Sequence, residues 1–209
     1  MMPCSLTRKI KEETIEIQTS MIAINSPLMG MKHGTAGSVV IREIPGLPMF
    51  DLRVAPGTPA QASIETVLGF QLPAKTGQTA ERPASESTQC HALCLAPDWW
   101  LVTGSVDAGH DLVKLRQQGE HHFSIVDVSG QRTTIDLEGS HARDVLAHLW
   151  EQDLREKSFP MGHVSQGLMV KAPVIVWHFA PSHYRILVRS SFAVHLWQAL
   201  TDAAVEYIS

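Results

Sequence analysis

The sequence predicts an α+β fold made of two copies of a β-α-β-β-α unit, with mostly antiparallel sheets covered by helices. Two observations predict it. Short runs alternating apolar and polar residues are interleaved with capped amphipathic helices. The order of these segments also repeats. Phe50-Asp51-Leu52 recurs as Ile135-Asp136-Leu137, the helix over 60–68 as one over 142–150, Ala96-Pro97 as Ala180-Pro181, and the strand end Leu101-Val102 as Leu187-Val188. An offset near 84 residues held through four elements in order marks an internal duplication. The division that follows is a tail over 1–37, a first half over 38–120 and a second half over 121–209, the halves packed as one domain.

Each element has its local reason. In residues 1–37 apolar residues are sparse, and Pro27, Gly30, Gly34 and Gly37 crowd the end, so no element is assigned there. Ser38 to Glu43 and Met49 to Val54 read as strands around the Pro45-Gly46-Leu47-Pro48 turn. A helix then starts at Thr58, with Pro59 at its first position and Gln61 in capping-box position. Ala60, Ile64, Val67 and Leu68 share one apolar face, and Gly69 supplies the left-handed end. The polar stretch from Pro73 to Gln89 reads as a long exposed loop. Cys90 to Leu95 and Trp99 to Gly104 form the next strand pair, and a helix follows over about 108–118. In the second half Thr133 to Leu137 is a strand, and the helix after Gly139 carries the stripe Ala142, Val145, Leu146, Leu149 and Trp150.

Composition narrows the function classes. With 17 basic and 21 acidic residues in 209, scattered rather than striped, no basic footprint for nucleic acid is present. The most apolar stretches are broken by Asp98, Lys171 and Arg185, well short of a membrane span. Near the N-terminus Glu12, Glu13 and Glu16 stand where a signal peptide needs an apolar stretch. Cys4, Cys90 and Cys94 make an odd set suited to a reducing compartment, and the cytoplasm is the expected location.

The chemistry-bearing candidates are few. His141, Asp144 and His148 share the face of their helix opposite the apolar stripe, a spacing that suits two imidazoles and a carboxylate on one metal ion. A solvated or partner-facing helix surface is the reading preferred for them. Cys90 and Cys94 lie on one side of a strand and read as small core residues. Ser129-Gly130-Gln131-Arg132 reads as a bend between strands in preference to an anion site, and no phosphate-loop, dinucleotide or nucleophile-elbow motif occurs. In Asp98-Trp99-Trp100, alternation puts one ring in a core and leaves Trp99 for a partner. The last helix has one stripe of Phe192, Leu196, Ala199, Leu200 and Ala203. Val194, Trp197 and Val205 lie around the helix from it, and with Trp99 they are the predicted subunit-interface residues.

Taken in order, several segments resemble the gamma subunit family of heterotetrameric sarcosine oxidase over residues 25–207. They are Phe50-Asp51-Leu52-Arg53, Leu68-Gly69-Phe70-Gln71-Leu72-Pro73 and Leu95-Ala96-Pro97-Asp98-Trp99-Trp100-Leu101. Further on come Val126-Asp127-Val128-Ser129-Gly130-Gln131-Arg132, Leu137-Glu138-Gly139, Ala142-Arg143-Asp144-Val145-Leu146, Asp153-Leu154 and Arg189-Ser190-Ser191-Phe192-Ala193. Ala96 departs from the glycine more common in the family. The resemblance implies a fold related to the folate-binding domain of glycine cleavage aminomethyltransferases. It also implies a non-catalytic role beside alpha, beta and delta subunits, in an oxidoreductase acting on the CH–NH bond of sarcosine with oxygen as acceptor. FAD, FMN, NAD, tetrahydrofolate and zinc would belong to those subunits, and no cofactor, metal or catalytic residue is expected on this chain. The second reading is a stand-alone folate-binding protein of the same fold. Against its iron-sulfur-assembly relatives, Lys157-Ser158-Phe159-Pro160-Met161-Gly162 has no cysteine where they carry Lys-Gly-Cys.

Overall fold

In the computed structural model, which describes residues 26–83 and 89–208, the strand and helix signals resolve into two antiparallel sheets with helices on their outer faces. In chain order the elements are β1 (Lys32–Thr35), β2 (Val39–Ile44), β3 (Met49–Arg53), α1 (Pro59–Leu68), β4 (Thr79–Glu81), β5 (His91–Ala96), β6 (Trp99–Thr103) and α2 (Val106–Gln117). The second series is β7 (Ser124–Asp127), β8 (Arg132–Glu138), α3 (Ala142–Leu149), β9 (Val164–Met169), β10 (Ala172–Ala180), β11 (His183–Arg189) and α4 (Ala193–Ala204). The α+β class with antiparallel sheets is the one predicted.

Local chemistry explains the helix starts. Thr58 accepts a hydrogen bond from the Gln61 amide, Pro59 occupies the first turn, and Gly69 closes α1 with a φ of 81°. The Gln61 side chain reaches back one residue further than a capping box requires, accepting from the Gly57 N–H at 2.7 Å. Ser105 caps α2 through the Ala108 amide at 3.1 Å.

The sheets run β1-β2-β8-β11-β10-β9 and β4-β5-β6-β3-β7. Within that order the leading strands of each series have crossed over: β1 and β2 join the second series' sheet, where β2 pairs with β8, and β7 joins the first series' sheet, where it pairs with β3. A division of the chain at residue 120 therefore does not separate the sheets. Residues 26–37 also depart from the predicted tail. β1 extends the first sheet beside β2, and Leu28 is buried against the same core. The buried Glu43 carboxylate anchors this segment, accepting hydrogen bonds from Ser26 Oγ and the Gly30 N–H. The loop over 73–89 contains β4, an edge strand on β5 that the polar composition concealed.

Three apolar layers result. α3 and α4 cover the six-stranded sheet with Val145, Leu146, Leu196 and Leu200 against Ile135, Leu137, Val176 and Ile186. α1 and α2 cover the five-stranded sheet with Ile64, Leu68 and Leu112 against Phe50, Leu52 and Trp100. Between the sheets, Met49, Leu93, Leu95 and Leu101 meet Val164, Ile175, Trp177 and Leu187. Period-two alternation is what lets one strand feed two layers: Leu93 and Leu95 face the other sheet while Cys94 faces α1 and α2. The sheet edges are stitched as well, by Val164 N–H to the Gly77 carbonyl at 2.8 Å and Gln166 Nε2 to the Leu95 carbonyl at 2.9 Å.

Gly109 shows how close the helix layer comes. A Cβ built there would fall within the Phe50 ring. Gly109→Ala should therefore lower stability by about 1–3 kcal/mol through overpacking, although alanine is the better helix former by about 1 kcal/mol. The midpoint of urea unfolding checks this, and an unchanged or raised midpoint would show that Phe50 moves aside at little cost.

Candidate subunit interface

The interface candidates on α4 separate once the helix is seated. Its buried residues are Ala193, Leu196, Trp197, Leu200 and Ala204, a single stripe rotated from the one predicted. A short 3-10 turn over Ser190–Phe192 ends β11 and sets the phase, so Phe192 is left exposed and Trp197 turns inward. Trp197 is 5% exposed and belongs to the core under the six-stranded sheet, which corrects its assignment to an interface. Val194 and Val205 are 49% and 66% exposed. At 100° per residue they share one line along the helix, with Gln198 and Thr201 between them, so this outward line is not a continuous apolar seam. The first turn of α4 lies beside the β9–β10 turn, where His195 Nε2 meets the Val170 carbonyl at 2.9 Å. Exposed Leu168 on edge strand β9 and exposed Val170 in that turn were not foreseen, because neither stands out within a short apolar run.

Trp99 keeps part of its ring accessible, but it is already partnered. The Arg53 guanidinium lies over it at 4.6 Å, and its indole N–H donates to Asp51 Oδ1 at 3.2 Å. Trp100 is buried and donates to the Pro73 carbonyl at 3.0 Å, so the two rings divide as alternation requires.

The remaining ionisable candidates hold elements together. His141 Nδ1 meets Asp144 Oδ2 at 3.0 Å while its ring stacks on Tyr207, and His148 Nε2 reaches the Tyr207 hydroxyl at 3.2 Å. This face of α3 therefore docks the C-terminal turn. Among the described residues no three His, Cys, Asp or Glu side chains come together as a metal-ligand set. Cys90 and Cys94 are free and buried, as core residues of the α1–α2 layer; burial pushes the Cys90 thiol up to about 11 and also raises Cys94. Cys4 lies outside the described residues. Ser129 serves the bend: its hydroxyl accepts from the Met49 N–H at 3.0 Å, tying the β7–β8 turn to β3.

The strongest electrostatic feature escaped the sequence reading. Asp136 of β8 is fully buried and binds Arg185 of β11 in bidentate fashion at 2.7 and 2.9 Å. His183 Nε2 stands 2.9 Å away, and Arg42 of β2 lies at 3.8 Å. Burial alone would raise the Asp136 carboxyl, but the Arg185 hydrogen bonds and the neighbouring His183 overrule it and hold it below the usual carboxylate range. The signal was present: an acidic residue mid-strand, flanked by Ile135 and Leu137, with Arg42 and Arg185 at register positions that only pairing reveals. Across the sheet gap His91 packs edge-on against Trp177, and burial lowers its pKa despite Glu81 at 3.3 Å.

Two outcomes are expected from this geometry. Trp197→Ala should cost about 3–5 kcal/mol of stability in the lone chain, as large-to-small core changes do; a loss below 1 kcal/mol would return Trp197 to the surface. His91 is held neutral by folding, so its contribution is complete above the unfolded value of about 6.5 and is lost as pH falls below it. Urea stability should drop from pH 7 to pH 5, and His91→Gln should narrow that drop; an unchanged drop would assign the titration to another group.

Comparison with known proteins agrees with the geometry. The chain is 29% identical over 175 residues to the sarcosine oxidase subunit gamma of Arthrobacter sp., covering 84% of each chain. It is 27% identical over 170 residues to that of Corynebacterium sp. strain U-96, covering 81% of each. Among solved structures, a chain of the heterotetrameric sarcosine oxidase from Corynebacterium sp. U-96, in complex with pyrrole 2-carboxylate, superposes with a TM-score of 0.73 at 25% identity, covering 85% of this chain and 89% of that one. The glycine cleavage system aminomethyltransferase T of Bartonella henselae shares the fold, with a TM-score of 0.59 at 14% identity over 80% of this chain and 46% of that one. Residues 54–206 match the sarcosine oxidase gamma subunit family, and the chain belongs to that family.

Proposed function

We propose that this chain is the non-catalytic gamma subunit of a cytoplasmic heterotetrameric sarcosine oxidase, assembled with alpha, beta and delta subunits. The complex would oxidise the N-methyl group of sarcosine with oxygen, releasing glycine and hydrogen peroxide and passing the one-carbon unit to tetrahydrofolate. FAD, FMN, NAD and zinc would be held by the other subunits. Among the described residues the sheets are antiparallel, without the parallel strand-turn-helix cradle of a Rossmann dinucleotide site, and no three His, Cys, Asp or Glu side chains come together as a metal-ligand set, which supports assigning the dinucleotides and the zinc to the other subunits.

The observation that carries the reading is the likeness to a chain of a sarcosine oxidase complex over nearly the whole length of both. The chemistry of the chain supports it. Asp136 is fully buried against Arg185, and His141 and His148 join α3 to Tyr207 in the C-terminal turn, contacts that hold elements together. Val194, Val205 and the accessible part of Trp99 remain the proposed contacts with other subunits.

Co-expression with candidate flavoprotein subunits should yield a complex that consumes oxygen on sarcosine, while the purified chain alone consumes none. Oxygen uptake by the lone chain would overturn the non-catalytic assignment. Saturable tetrahydrofolate binding by the lone chain in calorimetry would favour a folate-binding protein instead. Val194→Asp combined with Val205→Asp should leave the lone chain's unfolding midpoint within about 0.5 kcal/mol of wild type and reduce its recovery in the complex. Unchanged recovery would remove the outward line of α4 from the interface.

A further inference from the structure

Arg132 opens β8 and is half-buried, with its Nε shielded from solvent and without a hydrogen-bond partner. No carboxylate among the described residues lies within ion-pair distance of it, in contrast to Arg42 and Arg185, which share Asp136. Two residues along the same strand, and so on the same face, Thr134 is 2% exposed and its hydroxyl is also unpartnered. Both residues line a cavity of about 110 Å³ between the β2–β3 turn and the β7–β8 turn. The Ser190 hydroxyl, also in the wall, makes long hydrogen bonds of 3.4 Å, accepting from Thr133 Oγ1 and donating to the Gly130 carbonyl.

A guanidinium stays protonated at any physiological pH, so shielding its Nε–H from water without an acceptor is costly. Burial presses its pKa down, Asp51 offers a longer-range attraction, and Arg189 adds a second positive charge. The one carboxylate in the wall, Glu43, is already taken by Ser26 and the Gly30 amide. Arg132 Nε and the Thr134 hydroxyl are the polar atoms of the wall left without a partner. Its volume is enough for several waters or for one oxyanion of about four or five heavy atoms.

We propose that this cavity binds a small oxyanion, either inorganic phosphate or the carboxylate of a small acid, held by the Arg132 fork and the Thr134 hydroxyl. The bend at Ser129 and the anion site are then not alternatives: Ser129 ties the turn to β3, and the turn delivers Arg132 to the cavity. The inference stands apart from the subunit assignment and does not need it.

Calorimetry and thermal unfolding of the full chain in oxyanion-free buffer, with sodium phosphate and sodium acetate added separately, test it. One-to-one saturable binding of at least one of them is expected, with a rise in Tm. Phosphate alone would identify the inorganic ion, and acetate a carboxylate. Arg132→Met should weaken that binding at least tenfold and abolish the Tm rise, yet be no less stable than wild type in oxyanion-free buffer, because it removes a shielded donor that has no acceptor. Thr134→Val, close in shape and uncharged, should weaken binding several-fold. The proposal is overturned if neither anion binds, if both variants bind as wild type does, or if Arg132→Met is destabilised without anion.

Discussion

The antiparallel pairing of β2 with β8, and of β7 with β3, is the constraint on which the rest of the molecule depends. The six-stranded sheet takes β1 and β2 from the first series and the five-stranded sheet takes β7 from the second, so each sheet contains strands of both series. Register in such a pairing must be specified, because a one-residue slip would turn every side chain to the opposite face. Asp136 supplies that specification on one side of the exchange. Its carboxylate stands level with Arg42 on β2 and Arg185 on β11, so a slip of either neighbour would strand a buried charge. Ser129 does comparable work on the other side, tying the β7–β8 turn to β3.

Once the exchange is in place, the layers follow. The strands that carry Leu93, Leu95, Ile175 and Leu187 inward must also carry Cys94, Val174 and Ile186 outward to the helices. The ionisable residues are distributed by the same logic. Those on the helix faces, such as His141 and His148, tie α3 to the C-terminal turn through Tyr207, and those between the sheets tie strand to strand. Arg132 differs: it is half-buried, and its shielded Nε faces a polar cavity without an acceptor.

Helices and strands were legible where one residue type has one strong local role. Thr58, Pro59 and Gly69 bracket α1 because a cap, a first-turn proline and a left-handed glycine act within a few residues. The repeated order of segments was likewise visible, since a duplicated unit keeps its pattern of apolar positions. Trp197 was misplaced because a helical stripe fixes only relative angles. The absolute rotation of α4 is set by the 3-10 turn before it and by the sheet beneath it. β1 and β4 were missed because an edge strand pairs on one side only and can be polar, as Lys32–Thr35 and Thr79–Glu81 are.

By itself, then, the sequence determined the α+β class, the antiparallel segments, the helix caps and the family to which the chain belongs, because each rests on local chemistry or on the order of segments. Tertiary structure alone decided which strand completes which sheet, which way α4 faces, that Asp136 gathers Arg42, Arg185 and His183, and that Arg132 is left without a partner. Those outcomes depend on residues brought together across some 50 to 100 positions of chain. Partnering at that range is a property of the assembled layers, which no local pattern encodes.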